Sequence, residues 1–125
     1  MAKEWANDMD SSPQRSAACK NLVRFLCSVT MGSSGAVTSV TADNPKFSAT
    51  YGGSTGLLNI TLPRGKSAFI VASIRTSAVT AILDCITNTV DANAGTAVLR
   101  FRNVTLAVVN PESGLVLDLI IEVER

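Results

Sequence analysis

The sequence predicts an all-β protein, a single antiparallel β-sandwich of about eight or nine strands. Two observations favour this fold. Short segments with alternating apolar and polar residues follow one another from residue 22 onward, and clusters of Gly, Pro, Asn and Asp separate them at intervals of roughly 8 to 12 residues. With 125 residues, of which 46% are apolar, the chain can bury one sizeable core. We therefore expect one sandwich domain over residues 22–125, preceded by an arm over residues 1–21.

The arm is polar, and its large apolar side chains are few. Trp5 and Met9 are four residues apart, which would place them on one face of a helix. Ser12 followed by Pro13 is typical of a helix start, with Ser as the N-cap and Pro in the first turn. We predict a short helix here and a partner-binding role for Trp5, Met9 and Pro13. For Trp5 two interpretations stand: it packs on its own domain, or it anchors the arm in a pocket of a neighbour.

The first half of the sandwich is predicted to contain four strands. The strand at residues 22–31 places Val23, Phe25, Cys27, Val29 and Met31 on one face, which indicates a core-facing side. Three more strands are predicted at residues 36–41, 46–51 and 57–62, with Phe47, Ala49 and Tyr51, and then Leu58, Ile60 and Leu62, pointing inward. The turns between them are rich in Gly, Ser, Asn and Pro.

The second half is predicted to contain five strands. Residues 67–75 form a nearly continuous apolar run, which favours a strand covered on both faces. Residues 78–87 are assigned to a strand because the segment is short and contains several β-branched residues. Further strands are predicted at residues 96–103, 104–109 and 115–124, and the last of these alternates most regularly, with Leu117, Leu119 and Ile121 on one face.

The residues that usually carry catalysis are sparse. The chain has no histidine, so it contains neither a Ser-His-Asp nor a Cys-His arrangement and no imidazole ligand for a metal. The acidic residues are scattered, and no spacing indicates a calcium loop or a phosphate-binding loop. The three cysteines, Cys19, Cys27 and Cys85, show no Cys-x-x-Cys spacing. We expect no enzyme activity, no cofactor, no metal and no small-molecule substrate.

Charge predicts the classes of partner. The formal net charge of +1 gives no field that would attract nucleic acid or an anionic membrane, and no apolar run is long enough to span a bilayer. The N-terminal residues lack the apolar region of a signal peptide, so we expect synthesis and retention in a reducing compartment. The charged residues on outer strand faces are candidate subunit-interface residues: Arg100, Arg102, Asp118, Glu122 and Glu124. A solvated face is the simpler interpretation of the three acidic residues, and protection of a sheet edge is that of the two arginines.

One segment resembles a known class of proteins. Residues 47–63 read FSATYGGSTGLLNITLP, an aromatic strand, a Gly-rich hairpin and a returning strand that ends in Pro. This segment, together with the chain length, the N-terminal arm and the alternating last strand, resembles small virion proteins of tailed bacteriophages. The resemblance implies a jelly-roll-like sandwich and an oligomeric structural component of the virion, without catalytic activity.

These expectations combine into one functional hypothesis. We expect a capsid decoration, or cement, protein that binds the assembled phage head through its arm and its sheet edges. Its partners would be the major capsid protein or another virion protein and further copies of itself, as a dimer or trimer, in the virion after synthesis in the host cytoplasm. The alternative is a tail-fibre, receptor-binding or other tail-associated structural domain. A hydrolase with a carboxylate pair is a third class, disfavoured because no two acids occupy facing positions.

Overall fold

The computed structural model describes residues 21–76 and 82–125, and they form two antiparallel sheets. Eight strands follow one another, with a short 3-10 turn at Ser33–Gly35: β1 Leu22–Met31, β2 Val37–Ala42, β3 Ser48–Tyr51, β4 Leu57–Thr61, β5 Ser67–Thr76, β6 Ile82–Asp91, β7 Thr96–Asn103 and β8 Val116–Glu124. The prediction of an all-β sandwich is confirmed. The predicted arm and its helix lie outside the described residues.

The two sheets contain four strands each. The first sheet has the order β2-β1-β8-β5 and the second the order β3-β4-β7-β6. The last two strands therefore occupy inner positions, β8 between β1 and β5 and β7 between β4 and β6. Each sheet combines pairings of consecutive strands with pairings of strands far apart in the chain, namely β1–β8, β5–β8 and β4–β7, so neither sheet can form from one local stretch.

The core lies between the sheets and follows from the alternation of the strands. Phe25, Cys27 and Val29 of β1 point inward, as predicted, beside the inward residues of β8. The second sheet contributes Leu58, Ile60, Leu99 and Phe101, and the rings of Phe25 and Phe47 meet edge to face at 6.2 Å between centroids. Within the described ranges no polar or charged side chain is fully buried. Hydrophobic burial is therefore the main source of cohesion between the sheets.

Three local predictions are wrong. The run at residues 67–75 is not covered on both faces, because Phe69 and Val71 are exposed on the outer side of β5. Tyr51 does not point into the core, since 42% of the residue is exposed at the end of β3. Residues 104–109 do not form a strand, although Val108 makes an isolated bridge with Arg102.

The side chain of Asn103 explains the missing strand. Its Oδ1 accepts hydrogen bonds from the backbone N–H of Thr105 and of Ala107, both at 3.0 Å, and from the Thr105 hydroxyl at 2.8 Å. Leu106 adopts a positive φ of 67° inside this turn. Local side-chain bonds of this kind compete with ladder bonds, so the chain turns after β7 although residues 104–109 are apolar.

A core truncation tests the packing between the sheets. Leu99 on β7 is fully buried, so Leu99→Ala should lower the free energy of unfolding by about 2–5 kcal/mol, measured by urea denaturation. Val104→Ala is the matched control, because Val104 is 70% exposed; it should change stability by about 0.5 kcal/mol or less. Equal effects of the two substitutions would contradict this core.

Candidate functional site

The outer face of the first sheet carries a continuous apolar surface. The register of the sheet aligns Leu26 of β1 with Ile120 of β8, and Ile120 with Val71 of β5. Phe69 lies on the same face of β5, two residues from Val71. We call these four residues the apolar row. Leu26 of β1 is 53% exposed, and Phe69 and Val71 of β5 are 62% and 42% exposed, with the half-buried Ile120 of β8 between the two strands.

Charged pairs border the apolar row on both sides. On one side Arg24 lies 3.7 Å from Glu122, measured between Nε and Oε1. The sheet register aligns Glu122 with Phe69, so this ion pair lies beside the Phe69 end of the apolar row. On the other side Arg75 donates to Asp118 from its Nε at 2.8 Å, and the Ser28 hydroxyl donates to the same carboxylate at 2.5 Å. Both carboxylates thus bind side chains of the same sheet. The apolar row lies between these two polar groups and consists only of apolar side chains.

The environment of Asp118 lowers the pKa of its carboxyl. The hydrogen bond from Ser28 is the main cause. Burial, which raises the pKa, is the next in size, and the hydrogen bond and the charge of Arg75 lower the pKa further. The Arg75 guanidinium also reaches the Ser28 hydroxyl at 3.3 Å, which ties β5, β8 and β1 together across the sheet.

A shallow hollow lies at the β1–β2 side of this face. It has a volume of about 460 Å³, and its lining includes Leu26, Ile120, Asp118, Arg75 and Asp43. The hollow is open, and charged groups lie at its edge while apolar groups form much of its surface. This arrangement suits an apolar side chain of a protein partner that carries a polar group beside it.

The outer face of the second sheet contains a different charged pair. Arg102 of β7 holds Asp84 of β6 through two hydrogen bonds, of 2.9 Å from Nε and 2.6 Å from Nη2. Hydrogen bonding with Arg102 is the main cause that lowers the pKa of Asp84. Arg100, on the same face, has a buried Nε without a hydrogen-bond partner in the described part of the chain.

The two described cysteines are packing residues. Cys27 and Cys85 are buried in the core and form no disulfide. Burial is the main cause that raises the pKa of each thiol to about 12, and nearby aspartates add to it. Because the thiolate is the reactive form, neither residue is prepared for nucleophilic chemistry near neutral pH.

A second hollow, at one end of the sandwich, is basic. It has a volume of about 480 Å³, and Lys46, Arg64 and Arg125 contribute to its lining together with Thr61 and Pro63. All three cations are exposed to solvent. Solvated surface cations of this kind bind single anions weakly, so this hollow is a less specific feature than the apolar row.

The residues predicted from the sequence fall into three groups. Trp5, Met9 and Pro13 lie outside the described residues. The acidic members of the charged set, Asp118, Glu122 and Glu124, lie on the outer face of β8 as predicted, and each contacts a side chain of its own chain: Arg75, Arg24 and Ser67 respectively. Arg100 and Arg102 share the outer face of the second sheet, so the structure does not bring these arginines to the acidic group.

The apolar row was not predicted from the sequence. The signal was present in the alternation of β5, in which Phe69 and Val71 point to one side and Ile70 and Ala72 to the other. Both sides of this strand are apolar, so the pattern indicated burial on both, and only the position of β5 at the sheet edge shows that one side is open.

Other kinds of site have little support. Among residues 21–76 and 82–125, no group of three or more His, Cys, Asp or Glu side chains lies close enough together to hold a metal ion. The same residues contain no helix with the length and apolar character needed to cross a membrane.

No family model, no curated protein and no solved structure matches the chain.

The pKa of Asp118 gives a pH-dependent test of the outer face. A carboxyl whose pKa is lowered by folding stabilises the protein above its unfolded pKa, and this contribution is lost as the pH falls through the folded value. We expect Asp118→Asn to lower the Tm at pH 7 and the gap from the wild type to close below about pH 4. Because Asp118 and Arg75 are both more than a third exposed, the effect at pH 7 should be about 1 kcal/mol or less.

The control for this test is Asp43→Asn, which removes a carboxylate at the edge of the same hollow. It should change the Tm less than Asp118→Asn at pH 7. A gap between Asp118→Asn and the wild type that stays constant down to pH 2 would contradict the linkage.

Proposed function

We propose that this protein is a non-enzymatic structural module that binds other protein, and that it serves as a decoration protein on the head of a tailed bacteriophage. The apolar row carries this proposal. A compact sandwich that keeps its polar groups on the surface has a complete core, yet it leaves Leu26, Phe69 and Val71 open to water on one face. Contiguous exposed apolar groups bordered by charged pairs are typical of protein-binding surfaces.

The virion assignment has a separate support. It depends on the likeness of residues 47–63 to small phage virion proteins and on the sandwich architecture that such proteins use. A module that binds only the assembled head stabilises it by mass action, because binding lowers the free energy of the assembled state alone. In this proposal the apolar row docks on capsid protein, and the arm with Trp5, Met9 and Pro13 adds contact area.

The first experiment asks where the chain is found. Particles purified from the cells that produce this protein should contain it in a copy number that scales with the capsid subunits, measured by quantitative mass spectrometry. Its presence on isolated tails, but not on heads, would favour the tail-associated alternative. Its absence from all particles would refute the virion assignment.

The second experiment asks which surface binds. Leu26→Ser should weaken co-sedimentation with heads stripped of the protein by about 1–2 kcal/mol, because it removes an apolar side chain that docking would bury. The matched control is Val104→Ser, since Val104 is also highly exposed but lies beyond β7. Equal affinity of both variants would remove the apolar row from the binding surface.

The arm is tested in the same assay. Trp5→Ala should weaken binding by about 2 kcal/mol or more if the indole anchors the arm in a neighbour, as buried aromatic residues do at interface hot spots. Circular dichroism should show an unchanged β-sheet signal. Affinity equal to that of the wild type would leave Trp5 without a role in docking.

A further inference from the structure

Among the sheet edges of residues 21–76 and 82–125, the one formed by β5 is the least protected. β5 pairs with β8 on one side, and no strand in the described part of the chain pairs with its other side. Over residues 68–74 β5 reads AFIVASI, seven residues without a charge, a proline or a glycine. A long uncharged edge strand offers unpaired N–H and C=O groups to any strand that approaches it.

The other three edge strands carry features that discourage pairing. β2 has only six residues and its pairing with β1 shifts register between Thr30 and Met31, and Pro45 and Lys46 precede β3, which has only four residues. β6 contains Asp84, and its register shifts twice, between Ile82 and Asp84 and between Thr87 and Thr89. Short length, charge and irregularity are the usual protections of a sheet edge, and the central part of β5 has none of them.

The side chains of β5 make the edge apolar as well as open. The outer face of this edge strand carries Phe69 and Val71, and Phe69 is the most exposed member of the apolar row. Their neighbours Ile70 and Ala72 pack against the core. An approaching strand would therefore gain backbone hydrogen bonds and cover two large apolar side chains in one step.

We propose that a second copy of this chain occupies the edge, with the two β5 strands paired antiparallel about a two-fold axis. The first sheets of the two copies would then form one continuous sheet of eight strands, four from each. Such an interface uses the same surface on both subunits, which is the commonest symmetry of soluble dimers.

The side-chain pattern of β5 selects a register. Residues opposite each other must face the same side of the sheet, so only registers that pair like-facing residues are allowed. The register centred on Ile70 places Phe69 opposite Val71 of the partner subunit, and Ser67 opposite Ser73 of the partner subunit. It brings the apolar rows of the two copies together across the axis, whereas a centre at Val71 would place Phe69 opposite a serine.

The charges favour a second copy over a different chain. The paired segment of residues 67–73 is uncharged, so two copies meet without like-charge repulsion inside it, and nothing in it selects a partner of opposite sign. The flanking charges are Lys66, which directly precedes the segment, and Arg75, which Asp118 of its own chain holds at 2.8 Å. This inference does not depend on the virion assignment, and a dimer would present two apolar rows on one surface.

The oligomeric state of the full chain provides the test. The wild type should be a dimer by analytical ultracentrifugation, and Val71→Lys should raise the dimer dissociation constant by about tenfold or more, because it places a charge at the self-paired edge. The matched control is Ser39→Lys on β2, the opposite edge of the same sheet, where Ser39 is exposed on the outer face as Val71 is. This control should stay dimeric, and circular dichroism should show that both variants are folded.

Disulfide trapping tests the register independently. In a Cys19→Ser background, an equimolar mixture of Phe69→Cys and Val71→Cys proteins should form a cross-linked heterodimer on mild oxidation, and neither protein alone should cross-link to the same extent. Cys27 and Cys85 should not interfere, because both are buried. A monomeric wild type, a Val71→Lys variant as dimeric as the wild type, or cross-linking of Val71→Cys alone in preference to the mixture would overturn the proposal.

Discussion

Strand β8 is the constraint on which the rest of the structure depends. It hydrogen-bonds to β1 on one side and to β5 on the other, over nearly its whole length. Its inward residues Leu117, Leu119, Ile121 and Val123 are essentially inaccessible to solvent. A shift of one residue in its register would exchange these side chains with Asp118, Ile120 and Glu122 and place carboxylates in a core that lacks polar partners. The strand is thereby held in one register.

That register also determines the outer face. With the inner residues of β8 buried, Ile120 is aligned with Leu26 and Val71, and Asp118 with Ser28. The apolar row and its charged borders are consequences of the same pairing that builds the core. The ion pairs contribute little stability because they are exposed, but they tie the strands laterally and confine the apolar surface to a defined band. The proposed docking surface is therefore as rigid as the sheet beneath it.

The position of β5 connects the two proposals. The strand supplies half of the apolar row and also the unprotected edge. A partner can therefore cover its exposed side chains at the outer face of the sheet, and a second copy can pair with it at the sheet edge. The two contacts use different directions of approach, across the sheet face and along the sheet edge, and can coexist. An arrangement of this kind suits a structural protein that must bind a surface and also its own neighbours.

Much of the fold follows from the sequence alone. In a strand with one buried face, apolar and polar residues alternate, and this pattern predicts which side chains face the core. The inward faces of β1, β4 and β8, with Cys27 on the inward face of β1, could all be read from the local pattern. The outward position of Asp118 and Glu122 could be read in the same way, since they alternate with the inward residues of β8.

Only the tertiary structure decided what lies beside each strand. β5 is apolar on both sides, so its pattern could not show that it ends a sheet and leaves Phe69 exposed. The apolar residues 104–109 suggested a strand, but the hydrogen bonds accepted by the Asn103 side chain turn the chain there. The Arg75–Asp118 pair joins residues 43 positions apart. For β5 and for the Arg75–Asp118 pair the physical reason is the same: alternation specifies which side of a strand avoids water, whereas neighbours across a sheet are set by long-range pairing that a local pattern does not contain.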